Sequence, residues 1–65
     1  MTRKFYMENK NLFLSVKETA EILEISRPTL ITYEKRGFIK PDYVDSINGR
    51  KYYLKENVTR FMEEM

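Results

Sequence analysis

The side chains best equipped for covalent or metal chemistry are missing from this 65-residue chain. Without cysteine or histidine it lacks thiolate nucleophiles, disulfides, the commonest general base and the usual zinc ligands, leaving only carboxylates to hold an ion. Those carboxylates are not arranged for the task. Glu63 and Glu64 read as the soluble end of a helix, no nucleophile stands beside a base, and no glycine-rich loop is placed to cradle a phosphate. The expectation is a chain with no catalytic residue, no metal and no cofactor, and not an enzyme. What it does gather is positive charge. Residues 26–51 carry Arg27, Lys35, Arg36, Lys40, Arg50 and Lys51 against Glu34, Asp42 and Asp45, although the formal net charge of the whole chain is only +2. Ammonium and guanidinium groups collected in this way suit an anionic partner. They equally suit a basic face that is merely solvated.

Choosing between those readings requires the elements that carry the charges. Residues 1–12 are polar with scattered aromatics, Phe5 and Tyr6 among them, and show no clean period; they are expected as an arm, either mobile or packed late on the core. Residues 13–65 are expected to form one small domain, near the lower size limit for folding on a single apolar core. Ser15 stands three positions before Glu18, the spacing of a capping box, and Val16, Ala20 and Leu23, with Thr19 and Ile22 nearby, recur at helical spacing. This predicts a first helix from Val16 to Leu23 or Glu24. Ser26 is a second capping residue, and Pro28 is tolerated only in the first turn of a helix, so a new helix begins there and runs to Arg36, where Gly37 ends it. Two short helices joined by Glu24–Ser26 have the spacing of a helix-turn-helix.

Beyond Gly37 the residues favour strands. Phe38–Ile47 and Arg50–Leu54 flank Asn48-Gly49, a strong signal for a two-residue hairpin loop. That loop would set Ile47 opposite Arg50 and Val44 opposite Tyr53, with Val44 and Tyr53 facing the core. Asn57, Val58, Phe61, Met62 and Met65 then repeat at three and four, predicting a last helix from about Lys55 that lays Val58, Phe61 and Met62 on the core. Its start is poorly capped, because Leu54 stands where a hydroxyl or carboxylate residue would serve.

Helix, turn, helix, β-hairpin, helix is the layout of a small winged helix-turn-helix, an α+β fold that is mainly α. Rotating about 100° per residue from Leu30 puts Tyr33 and Glu34 on or near the inner side and turns Ile31, Thr32, Lys35 and Arg36 outward. Arg27 and Thr29 occupy the amino-terminal turn, whose free amides can hold a phosphate. Hydroxyl and guanidinium groups so placed suit base edges and phosphate oxygens of double-stranded DNA. The candidate DNA-binding residues are therefore Arg27, Thr29, Thr32, Lys35 and Arg36 on the second helix, with Arg50 and Lys51 in the wing. The cations have structural alternatives: Arg27 also fits a solvent-exposed first-turn residue, Lys35 and Arg36 also relieve the helix dipole, and Arg50 and Lys51 also keep a strand edge soluble. Ile31, apolar and turned outward, fits a thymine methyl, a partner protein, or neither.

The stretches LSVKETAEILEISRPTLITYEKRGFIKP and NGRKYYLKENVTRFM resemble the excisionase-family helix-turn-helix domains of the MerR-like winged-helix superfamily, over about Phe13 to Met65. The shared features are the opening L-S-V-K-E-T-A, the I-S-R-P-T-L start of the second helix, the glycine closing it and the Gly-Arg wing. This resemblance implies a second helix in the major groove, a wing on the backbone or adjacent minor groove, and a cytoplasmic, nucleoid-associated bacterial protein. Full MerR regulators commonly carry Arg and Tyr where Ile31 and Thr32 stand here, which removes their usual backbone contacts at those two positions. Since the chain ends at Met65 without the long dimerisation helix of those regulators, the expectation is a recombination directionality factor of a phage or integrative element. Such a factor bends DNA beside an integrase, a tyrosine recombinase, and binds as several cooperating copies. A small MerR-like transcriptional regulator is the first alternative. A protein-binding antirepressor using Ile31, Ile47, Phe5 and Tyr6 is the second. No apolar run approaches the roughly 20 residues of a membrane span.

Overall fold

In the computed structural model, which describes residues 1–64, the chain folds as α1 (Arg3–Glu8), a short 3-10 turn (Lys10–Leu12), β1 (Phe13–Ser15), α2 (Val16–Leu23), α3 (Arg27–Lys35), β2 (Tyr43–Val44), β3 (Lys51–Leu54) and α4 (Lys55–Glu63). The boundaries follow local chemistry. Ser15 Oγ accepts from the Glu18 amide at 3.1 Å while Glu18 Oε1 accepts from the Ser15 amide at 3.0 Å, so the capping box is complete at the start of α2. The Ser15 amide, and after it the Ser15 hydroxyl, hold the Glu18 carboxyl below its ordinary range. The turn after α2 is made by Glu24, which takes the left-handed conformation at φ 59 without the freedom of a glycine. Ser26 then caps α3, with Pro28 in the first turn. At the far end the amides of Gly37 and Phe38 donate to the carbonyls of Glu34 and Tyr33, at 3.0 and 2.9 Å, with Gly37 at φ +79: a Schellman closure. The accompanying apolar contact is the Tyr33–Phe38 edge-on pair, 5.9 Å between ring centres.

The sheet has three antiparallel strands in the order β1-β3-β2, and its central strand serves two cores at once. Tyr53, paired with Leu14, points toward α2, α3 and α4 and joins Leu14, Ala20, Leu23, Leu30 and Val58 in the main core, against which Val16, Ile25, Ile39 and Phe61 pack. Tyr52, one residue earlier, points to the opposite face. There the Tyr6 ring of α1 lies 4.3 Å from Tyr52 and 5.0 Å from Tyr43, and meets Phe13 edge-on at 5.3 Å. Residues 1–12, expected as an arm, thus contribute a helix that covers the back of the sheet. Arg3 of that helix forms an ion pair with Asp45, tying it to the end of β2. The architecture is a small winged helix-turn-helix, extended by α1 and β1.

Two expectations are corrected. The hairpin does not turn in two residues: Tyr43 pairs with Tyr52 and Val44 with Lys51, so the loop is Ser46–Gly49. Asp45 sets this register, since its Oδ1 accepts from the amides of Ile47 at 2.8 Å and Asn48 at 3.4 Å, and its carbonyl accepts from Gly49 at 2.8 Å. Those amides, Ile47 first, also keep the Asp45 carboxyl below its usual range. Val44 is therefore not opposite Tyr53 and is half exposed, while Ile47 rides on the loop at 75 % exposure. Second, Met62 and Ile22 are exposed rather than packed, because Val58 with Phe61, and Ala20 with Leu23, already fill the inner stripes of α4 and α2. Met65 lies outside the described residues. The start of α4 is poorly capped, as expected: no side chain caps its first-turn amides. Asp42 instead ties the helix start to the approach of β2, accepting from the Leu54 amide at 2.9 Å and from Asn57 Nδ2 at 2.7 Å.

Two substitutions test this account in opposite directions. Asp42→Ala removes both bonds at the start of α4 and lowers stability by about 1–3 kcal/mol, measured as a shift in the urea midpoint. Thr19 is fully buried with a hydroxyl that has no hydrogen-bond partner. Thr19→Val keeps the shape, removes that orphan group and raises stability by about 1 kcal/mol, visible as a higher Tm.

Candidate nucleic-acid interface

The rotation of α3 is fixed from within. Leu30 is wholly buried, and Tyr33 and Glu34, three and four residues later, are partly buried on the same side. Arg27, Pro28, Ile31, Thr32, Lys35 and Arg36 are consequently exposed. Arg27, Ile31 and Glu34 face a groove of about 540 Å³ whose other walls are Ser15, Val16 and Lys17 from the start of α2, and Gly49, Arg50, Lys51, Tyr52 and Tyr53 from the wing. The exposed helix and the hairpin therefore flank one concave surface.

Its charges are divided into two groups. Lys51 Nζ lies 2.7 and 2.9 Å from the two carboxylate oxygens of Glu34, and Glu34 Oε2 also accepts from the Tyr53 hydroxyl at 3.5 Å. Lys51 is thus committed to holding the wing against α3. Among the described residues Lys17, Arg27, Lys35, Arg36 and Arg50 have no such carboxylate partner. Lys17 was not singled out by the sequence, where it reads only as a residue inside the capping box; its place on the groove wall depends on β1 pairing with β3, which no local pattern announces.

The polar residues at the start of α3 are partly spent on the helix itself. Thr29 is half-buried, its Oγ1 lies 2.8 Å from Ser26 Oγ, and its amide donates to the same oxygen at 3.2 Å. The Leu30 amide is taken by the Ser26 carbonyl at 3.0 Å, and Pro28 has no amide proton. Of the first-turn donors expected to hold a phosphate, only the Arg27 amide has no partner among the described residues. Thr32 is exposed, yet its hydroxyl donates to the Pro28 carbonyl at 3.1 Å. Arg27, Lys35, Arg36 and Arg50 are exposed, while Thr29 and Lys51 are engaged in internal bonds. A second pocket, beside α4, is lined by Phe38, Ile39, Lys40, Asp42, Asn57, Arg60, Phe61 and Glu64 and includes no residue of α3.

Burial, and secondarily the Glu34 carboxylate, push the Tyr53 hydroxyl up to about 12 from 10.0. A raised folded-state value means the native protein keeps this proton where the unfolded chain loses it. The stabilising contribution is complete below pH 10 and disappears as pH rises through 12. Stability measured by urea titration at successive pH values falls across that window, and Tyr53→Phe reduces the fall.

No described helix is long and apolar enough to cross a membrane, and no metal-binding cluster of His, Cys, Asp or Glu occurs among the described residues. No curated protein and no solved structure matches the chain. The family described as helix-turn-helix domain matches it over residues 13–65, from the first residue of β1 through the whole helix-turn-helix and wing. Domains of this kind support sequence-specific DNA binding and are typically not enzymes. On that match, and on the two capped helices and wing that realise it, this chain belongs to the helix-turn-helix domain family.

Proposed function

We propose that the chain is an architectural DNA-binding protein of the excisionase type, within the MerR-like winged-helix superfamily. In this reading α3 enters the major groove and the Ser46–Gly49 loop with Arg50 rests on the backbone or the adjacent minor groove. Arg27, Lys35, Arg36 and Arg50 contact phosphates and base edges, with Lys17 as a further phosphate contact from α2. Thr32 adds an exposed polar edge. Thr29 and Lys51 act indirectly, the first by completing the cap of α3 and the second by fixing the wing through Glu34. The observation that carries the reading is that Lys17, Arg27 and Arg50, none with a carboxylate partner among the described residues, line one groove between α2, α3 and the wing, with Lys35 and Arg36 exposed farther along α3.

A domain of this size covers only part of a site, so one copy binds a half-site weakly. Several copies side by side, or a tyrosine recombinase bound next to them, raise occupancy by making each later contact effectively intramolecular. The partners in this reading are double-stranded DNA, an integrase and further copies of the same chain, in a bacterial cytoplasm. A MerR-like transcriptional regulator would use the same surface at a promoter. An integrase-dependent excision assay with and without the chain distinguishes the two: the excisionase reading requires stimulation of excision.

Direct binding tests the surface itself. Affinity for duplex DNA falls steeply with salt, because each neutralised phosphate contributes about 0.9 to the slope of log K against log salt. Arg27→Ala and Arg50→Ala each weaken binding and each flatten that slope by about 1. Lys51→Ala lowers thermal stability by leaving Glu34 unpaired but does not flatten the slope. Fluorescence anisotropy over a salt series reads all three; affinity indifferent to ionic strength, or unchanged by both arginine substitutions, contradicts the proposal.

A further inference from the structure

The exposed face of α3 is not uniformly polar. Arg27, Ile31 and Lys35 follow at four-residue spacing and form one stripe along the helix, with a cation at each end and an apolar side chain between them. Ile31 is 43 % exposed, lines the groove with Arg27 and Arg50, and is not among the side chains packed on the core, where Leu30 fills the place α3 supplies. The fold gives no reason for an isoleucine at this position. Beside it, Thr32 has already donated its hydroxyl proton to the Pro28 carbonyl, so it offers a neighbouring base an acceptor oxygen and a methyl group but no donor. The centre of the exposed face is thus poor in hydrogen-bond donors and rich in carbon, between cations suited to phosphates.

Among the base edges that the major groove displays, the apolar group is the C5-methyl of thymine. A β-branched side chain is stiff at χ1 and meets such a group with little conformational freedom to lose. Resting on the reading that α3 enters the major groove, we propose that Ile31 is a specificity-determining residue that reads a thymine C5-methyl in the recognised site. The cations of the stripe fix register and Ile31 selects the base.

The test begins with duplexes enriched from a random library by the full chain. In the enriched duplex each dT is then replaced singly by dU, which removes the methyl and leaves the pairing intact. The wild-type chain loses roughly three- to fivefold in affinity at one such position, the value of burying one methyl group. Ile31→Ala, checked for native circular dichroism, binds the dT duplex with a similar loss and no longer distinguishes dT from dU there. If no dU replacement weakens the wild-type chain, or if the discrimination persists undiminished in Ile31→Ala, the assignment to Ile31 is overturned while DNA binding stands. If no duplex is enriched at all, the DNA-binding reading is overturned and this inference with it. The dU series on the wild-type chain needs no variant to fold.

Discussion

Everything the surface of α3 presents depends on Leu30 being wholly inside. A helix nine residues long, entered through Ser26 and Pro28 and ended by a Schellman turn, has little length over which to average its contacts. One deeply buried residue therefore sets its rotation, and removing that side chain would cost about 2–5 kcal/mol. Once Leu30 points inward, Arg27, Ile31, Lys35 and Arg36 must point outward. Glu34 adds a second constraint of a different kind. Its pairing with Lys51, 17 residues away, joins the helix to the central strand on the groove side, so helix and wing are held as one surface instead of two independent ones.

The central strand explains how so short a chain supports that surface without disulfides. Tyr52 and Tyr53 face opposite sides of the sheet, so β3 contributes to the helical core and to the aromatic cluster under α1 together. Two buried or half-buried carboxylates bind the pieces at either end of β2: Asp42 ties down the Leu54 amide and the Asn57 side chain at the start of α4, and Asp45 shapes the wing loop while pairing with Arg3 of α1. Each carboxylate satisfies amides that a 65-residue domain has few other means to cover. The wing loop is thereby specified by a side chain, which leaves the Ile47 side chain exposed on the loop and that of Arg50 exposed at its base.

What could be read from the sequence was what depends on neighbours in the chain. Ser15 with Glu18, Ser26 with Pro28, and Gly37 each act within four residues, and each marks a helix end where it was expected. The outward face of α3 follows from the same short-range periodicity. What could not be read depends on distant partners. The helical form of residues 3–8 is secured by Tyr6 meeting Phe13, Tyr43 and Tyr52, of which two are far away in sequence. The strand register was misjudged because Asn48-Gly49 reads as a two-residue turn, whereas Asp45 wraps its carboxylate around a longer one. Lys51 looked like a free wing cation because Glu34 lies on another element, and the bonds of Asp42 to Leu54 and Asn57 were hidden for the same reason. In the candidate interface, charge was legible and its internal neutralisation was not.

The proposed reception of duplex DNA by the outward face of α3 and the wing is tested by titrating the isotope-labelled chain with duplex DNA and following backbone amide resonances. The largest changes are expected on residues 27–36 and 46–51, with Lys17 beside them, leaving α1 and the exposed side of α4 unmoved. Changes concentrated on α1, or on the Phe38–Phe61 side of α4, would contradict it.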